Sequence, residues 1–240
     1  MIRVITLFSG YDSQCLALDR LRRDYPGFDY ELVAWCEIDR AACKAHDALY
    51  PQWADRNLGD ISKVDVGDVP DCDLMTWSFP CTDISQAGCQ AGLAEGSGTR
   101  SSLAWESIRL FRAKRPKYLL MENVKALVSA KFIKDYQRLM LALEEIGYKN
   151  FSEVLDSSKF GVPQHRERIF MVSILRTEDD PEPMYHFPEP FPLETRLADV
   201  LEDEVDERYF LSDEMLCRFC ERSVDEGDES DEGRLEDMVV

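Results

Sequence analysis

Short apolar runs alternate along this chain with longer amphipathic stretches. Val4-Ile5-Thr6-Leu7-Phe8 is compact and rich in β-branched residues, as a buried strand requires, and Ser9-Gly10 follows it as a turn. Over residues 14–23 the apolar positions fall at 15, 16, 18 and 21, the spacing of one helix face. Leu32-Val33-Ala34-Trp35 is a second strand, ending at Cys36-Glu37-Ile38-Asp39, and residues 40–49 read as a helix that Pro51 stops. Strands at 74–77 and 118–121 flank a helix expected over 102–113, which ends before Pro116. Residues 132–146 form a further helix with Gly147 as its stop signal. Runs at 151–155 and 169–175 predict a late antiparallel strand pair around Phe160-Gly161-Val162-Pro163. The alternation predicts an α/β fold, a mostly parallel sheet flanked by helices. Five prolines make residues 181–192 a linker or surface excursion, and a short helix and turn are expected over 197–211.

At 240 residues the chain is long enough for one well-buried domain with a small appendage. No apolar run approaches the roughly 20 residues of a bilayer span, so no membrane partner is expected. Met1-Ile2-Arg3-Val4-Ile5 enters a strand pattern rather than a signal-peptide layout. The eight cysteines lack the spacing of a disulfide framework, which predicts reduced thiols and a cytoplasmic location. A net charge of −19 argues against nucleic-acid binding only where it is located. From Glu194 onward, 18 acidic and 5 basic residues carry most of it, and residues 1–193 hold only −6. A local basic cleft there still suits phosphate. The expected organisation is a catalytic domain over 1–180, a linker and further region over 181–221, and a disordered acidic tail over 222–240.

A strand feeding a glycine-containing loop and a helix brings backbone close to a nucleotide-like ligand. Gly10 stands alone in its turn, but Glu37 at the end of the next strand is placed to accept both ribose hydroxyls. Asp60, in Gly59-Asp60-Ile61, is placed to accept from an adenine amino group. Singly these are a turn glycine, a surface glutamate and a capping aspartate; in order, each after a strand, they favour a ligand site. Phe79-Pro80-Cys81 ends the third strand and Glu122-Asn123-Val124 closes the fourth, a nucleophile beside an acid. Gln164-His165-Arg166-Glu167-Arg168 places two guanidinium groups at alternate positions, on one face if the backbone is extended. Gly88, Gly92, Gly96 and Gly98 mark residues 87–100 as a mobile loop that could close over a substrate.

Together these residues resemble the DNA cytosine-5 methyltransferase family. Leu7-Phe8-Ser9-Gly10 is similar to its first cofactor motif, and Glu37-Ile38-Asp39 and Asp60-Ile61 to the next two. Phe79-Pro80-Cys81, continued by Asp83, Ser85, Ala87 and Gly88, matches the nucleophile motif; Glu122-Asn123-Val124 matches the acid motif, and Gln164-x-Arg166-x-Arg168 the arginine motif. The resemblance implies a Rossmann-like class I methyltransferase fold. It also implies S-adenosylmethionine as cofactor, held by Phe8, Ser9, Gly10, Glu37, Ile38, Asp60, Ile61 and Pro80. Double-stranded DNA is the implied substrate, with the target cytosine flipped out of the helix. Cys81 would attack carbon 6, Glu122 would hydrogen-bond or protonate N3, Arg166 and Arg168 would hold the O2 side, and Asn123 would orient its loop.

The chain departs from the family's pattern in several places. Thr6 stands where the family has Asp, and Asp12 and Ser13 where it has glycines, so side chains there crowd the cofactor's methionine end or Asp12 meets its ammonium group. Thr82 replaces the usual Gln. No Gly-Asn follows the arginine motif and no recognition domain is legible, so a second polypeptide carrying target recognition is an expected partner. A non-catalytic remnant that binds cofactor or a partner, and an RNA cytosine methyltransferase, are the alternatives. Trp35, Trp77 and Trp105 read as core or cleft wall, His46 and His186 as ordinary surface or helix histidines, and Cys217-x-x-Cys220 as too few ligands for structural zinc.

Overall fold

The computed structural model describes residues 1–81 and 100–218. The chain divides into two units, Met1–Thr195 and Arg196–Val240. The first is built on one six-stranded sheet in the order β2-β1-β3-β4-β6-β5. Its strands are β1 Ile2–Leu7, β2 Tyr30–Cys36, β3 Leu74–Trp77, β4 Tyr118–Val124, β5 Tyr148–Asp156 and β6 Glu167–Leu175. Strands β2, β1, β3 and β4 are parallel, and β6 runs antiparallel to both β4 and β5. Helices α1 Ser13–Asp24, α2 Arg40–Leu49 and α3 Ala104–Lys114 supply the crossovers that parallel neighbours require, and α4 Ile133–Ile146 leads into the antiparallel pair.

The elements start and stop where local chemistry dictates. Asp12 and Asp39 cap α1 and α2, accepting from the Cys15 and Ala42 amides at 3.3 and 2.8 Å. Gly147 ends α4 in the left-handed region, φ 112°, with its amide donating to the Leu143 and Glu144 carbonyls. A 3-10 turn, Arg100–Leu103, takes the place of the first residues of the helix predicted over 102–113.

The central strands are covered on both faces, so residues 4–7 of β1 and 75–77 of β3 are buried without alternation. Val4, Ile5, Leu7, Met75 and Trp77 are wholly buried. Each fully buried side chain of this size contributes roughly 1.5–3 kcal/mol. Trp77 meets Phe111 of α3 edge-on at 5.1 Å. Outside β2 a second cluster gathers around Trp35, whose Nε1 donates to the Trp53 carbonyl at 2.9 Å. His46 lies on α2, but it is not a surface residue: its ring is fully buried and stacked on Trp35 at 3.7 Å.

The proline-rich stretch lies along β5, the edge strand. Tyr185 packs against Phe151 at 6.1 Å, Lys149 pairs with Glu182 at 2.9 Å, and the Phe191 amide donates to the Lys159 carbonyl at 3.0 Å. In the second unit, two 3-10 turns, Leu197–Val200 and Glu207–Tyr209, stand where a short helix and turn were expected. The glycine-rich stretch after Cys81 up to residue 99, Cys220 and the acidic segment 222–240 lie outside the described residues. Among the described residues, no helix is long and apolar enough to cross a membrane.

Candidate active site

The order β2-β1-β3-β4 means that the chain leaves β1 to one side, returns, and continues on the other. Ligands bind at the carboxyl ends of the strands beside such a reversal. Those ends carry most of the residues singled out from the sequence; Asp60, expected directly after a strand, instead follows α2 and the 3-10 helix Pro51–Arg56.

After β1 the backbone turns sharply. Phe8, Gly10 and Asp12 all have left-handed φ values, 57°, 59° and 69°. For Phe8 and Asp12 this costs roughly 1–3 kcal/mol each; for Gly10 it is free, and open space surrounds the position a Cβ would take. Ser9 is buried and ties β1 to β2, its amide and hydroxyl both donating to the Cys36 carbonyl at 3.0 and 3.2 Å. Asp12 is also fully buried. Its carboxylate accepts from the Thr6 hydroxyl at 2.8 Å and stands 3.6 Å from His46 Nε2. This corrects the expectation that Asp12 reaches a ligand's ammonium group, because its side chain faces the protein interior.

Glu37 follows β2 directly. One carboxylate oxygen accepts from the Gly10 amide and the other from the Ile38 and Asp39 amides, each at 2.8 Å. About one of the four lone-pair directions of a carboxylate then remains for a ligand hydroxyl. Ile38 exposes 69% of its surface beside it. Asp60 caps a 3-10 turn, and its bonds to the Ser62 hydroxyl and amide, at 2.7 and 3.1 Å, hold its carboxyl below the usual range. Ile61 is buried in the core, and its carbonyl accepts from Arg109 Nη2 at 3.0 Å. An open glycine, an exposed apolar side chain and two carboxyl groups fit a nucleoside, with acceptors for its hydroxyl and amino groups.

Cys81 stands three residues beyond Ser78, which continues β3. The Pro80 carbonyl accepts from Ser101 Oγ at 2.7 Å, and the Phe79 carbonyl accepts from Asn123 Nδ2 at 3.1 Å. Asn123 is buried, and its own carbonyl oxygen accepts from the Val124 amide at 2.9 Å. One side chain thus fastens the segment before Cys81 to the end of β4. Burial pushes the Cys36 and Cys72 thiols up to about 12. Cys81 is half-buried.

Alternation along β4 buries Leu119, Met121 and Asn123 and turns Glu122 to the other face. Because β6 is antiparallel to β4, it begins where β4 ends, with Arg168 opposite Val124. That register sets Arg168 Nε 3.2 Å from Glu122 Oε1, while Arg168 Nη1 donates to the Glu167 carbonyl at 2.8 Å. Arg166 lies just before the strand, exposed and without an ion-pair partner among the described residues. Its backbone is held by Asp156, whose Oδ1 accepts from the Arg166 amide at 3.1 Å and whose Oδ2 lies 3.0 Å from His165 Nδ1. The His165 contact and the Ser158 amide hold the Asp156 carboxyl well below the usual range.

Cys81, Glu122 and Arg168 therefore come from neighbouring strand ends, with Phe8–Gly10 and Glu37 one and two strands away. Sequence reasoning missed Asn57 and Asp156, which hold these segments from behind. Both accept from the amide two residues on, Gly59 at 2.8 Å and Ser158 at 3.1 Å, the local Asx-turn pattern by which they could have been found.

A sequence model described as C-5 cytosine-specific DNA methylase matches residues 2–233. Type II methyltransferase M2.ScrFI of Lactococcus lactis subsp. cremoris is 42% identical over 173 residues, which are 72% of this chain and 47% of that protein. Type II methyltransferase M.NlaX of Neisseria lactamica is 35% identical over 90% of this chain and 64% of its own length. The chain spans about half to two thirds of these relatives. Among solved structures, Spodoptera frugiperda DNMT2 superposes with a TM-score of 0.71 at 21% identity, covering 91% of this chain and 65% of that one. The S. pombe Dnmt2 methyltransferase gives 0.69 at 22% identity, over 92% and 67%.

Proposed function

The chain belongs to the C-5 cytosine-specific DNA methylase family, and from that premise we propose that it is the catalytic part of a DNA cytosine-5 methyltransferase acting on a flipped-out cytosine in duplex DNA. The observation that carries this reading is the Glu122–Arg168 ion pair, locked through Asn123 to the segment that ends in Cys81. A nucleophile, an acid and a cation on adjacent strand ends suit addition to an electron-poor ring.

The Cys81 thiolate adds to carbon 6 of the base, and the electron pair of the 5,6 double bond moves toward carbon 5. Glu122 donates a hydrogen bond or a proton at N3, offsetting the charge that develops in the ring. Arg168 keeps Glu122 aimed and, with Arg166, holds the O2 side of the base. When bound, S-adenosylmethionine would supply the electrophilic methyl group that carbon 5 takes, with S-adenosylhomocysteine as the leaving group. Loss of the carbon 5 proton to water and elimination at carbon 6 then break the bond to Cys81 and restore the thiolate. Glu37 and Asp60 would accept from its ribose and adenine, Ile38 would pack on the adenine, and the Phe8–Gly10 turn and Pro80 would border its methionine end. A second polypeptide bringing target recognition completes the proposal.

Trapping tests this reading. Duplex DNA containing 5-fluorocytosine is mixed with S-adenosylmethionine and the chain, alone and with the product of a neighbouring reading frame. A denaturation-resistant adduct is expected, absent from Cys81→Ser, which should bind cofactor normally. An adduct that survives in Cys81→Ser, or none under either condition, would refute the proposal.

A further inference from the structure

Asn57 uses every hydrogen-bonding position of its carboxamide on the loops around Glu37. Its oxygen accepts from the Glu37 amide at 3.2 Å and the Gly59 amide at 2.8 Å. Its nitrogen donates to the Glu37 carbonyl at 3.1 Å and meets Cys43 Sγ at 3.5 Å. Two lone pairs and two protons are all that a carboxamide has, and the partners fix which end is which. The backbone supports the same junction: Asn57 bridges to Trp35 beside β2, and the Leu58 amide donates to the Trp35 carbonyl at 2.7 Å. Glu37 in turn holds the Gly10 amide. Three loops that are far apart in sequence, after β1, after β2 and before Asp60, thus form one hydrogen-bonded relay running Gly10–Glu37–Asn57–Gly59.

We propose that Asn57 is a positioning residue for the nucleoside end of the cofactor, one that sets the spacing between the Glu37 and Asp60 carboxylates without touching the ligand. The inference rests on reading these loops as the cofactor site. Its physical basis is preorganisation: carboxylates on independent loops must be ordered by the ligand, and that cost is subtracted from affinity. Aspartate is nearly isosteric but turns both donors into acceptors, one of them facing the Glu37 carbonyl. Alanine removes all four contacts.

The test uses the full chain and titration calorimetry at a temperature where wild type, Asn57→Asp and Asn57→Ala are all folded by circular dichroism. S-adenosylmethionine and adenosine are the ligands, and thermal melting runs in parallel. Both variants should weaken both ligands by a similar factor, about tenfold or more, because the fault lies at the shared adenosine half. The 5-fluorocytosine adduct should form at its wild-type rate once cofactor is saturating. A lowered melting temperature with both affinities unchanged would overturn the inference and leave Asn57 a purely structural residue. Loss confined to S-adenosylmethionine, with adenosine unaffected, would also overturn it. A wild-type chain that binds neither ligand would overturn the cofactor reading and the inference together.

Discussion

Replacing Asn123 tests how the segment that ends in Cys81 is held against the strand that carries Glu122. The side chain is 3% exposed and makes two hydrogen bonds, to the Phe79 carbonyl at 3.1 Å and from the Val124 amide at 2.9 Å. Each is worth about 1 kcal/mol net, and a buried carbonyl left unpaired costs about 1–3 kcal/mol. Phe79 itself is 2% exposed, so water does not readily replace the lost donor. Asn123→Ala should therefore destabilise the fold by about 2–4 kcal/mol. For a unit of this size, that lowers the melting temperature by roughly 5–15 °C. The same change frees the Cys81 segment from β4, so the rate of 5-fluorocytosine trapping should fall while affinity for S-adenosylmethionine stays within about twofold. Asn123→Asp adds a sign test. A buried carboxyl has its folded pKa raised, and only the protonated form can donate to Phe79. The deficit of Asn123→Asp relative to wild type should shrink as the pH falls toward and below the carboxyl's folded value. A melting temperature within about 2 °C of wild type in Asn123→Ala, or a deficit in Asn123→Asp that grows on acidification, would refute the reasoning.

Two further outcomes follow from the arginine segment. Asp156 has its carboxyl held below the ordinary range by His165 first and then by the Ser158 amide. Its contribution is therefore present above the unfolded carboxyl pKa of about 3.9 and is lost as the pH falls through the lower folded value. Asp156→Asn should show a smaller drop in melting temperature between pH 7 and pH 3 than wild type; an equal drop would show that this carboxylate is not linked to folding. Gly161 sits at φ 81°, and a Cβ there would lie 3.0 Å from the Phe191 ring. Gly161→Ala should cost about 1–2 kcal/mol in denaturant unfolding from backbone strain alone, and Phe191→Leu in the same chain should recover only the contact part. Full recovery would mean that the backbone carries no strain.

Much of the site was legible because its residues stand at strand ends, and strand ends are local events. The apolar run at 74–77 announces its own end at Phe79-Pro80-Cys81, and the run at 118–121 places Glu122 in the same way. What could not be read locally was which groups share an environment. His46 looks like any helix histidine until Trp35 is laid on it, and Asp12 looks exposed in a turn until Thr6 and Cys15 close around it. Asn57 carries a visible turn signal toward Gly59, but its bonds to Glu37 cross 20 residues.

The sequence by itself determined the identity and order of the elements, because side-chain periodicity, caps and stop signals act within a few residues. It also singled out Cys81, Glu122 and Arg168 as candidates for the proposed chemistry. Only the tertiary structure decided that β6 enters the sheet antiparallel beside β4, and hence that Arg168 meets Glu122 at 3.2 Å. It alone decided that one carboxamide links the loops around Glu37 and Gly59, and that the proline-rich stretch packs on the Lys149 and Phe151 side chains of β5. Those outcomes depend on register and on burial between segments far apart in the chain, where no local pattern records which partner a side chain will find.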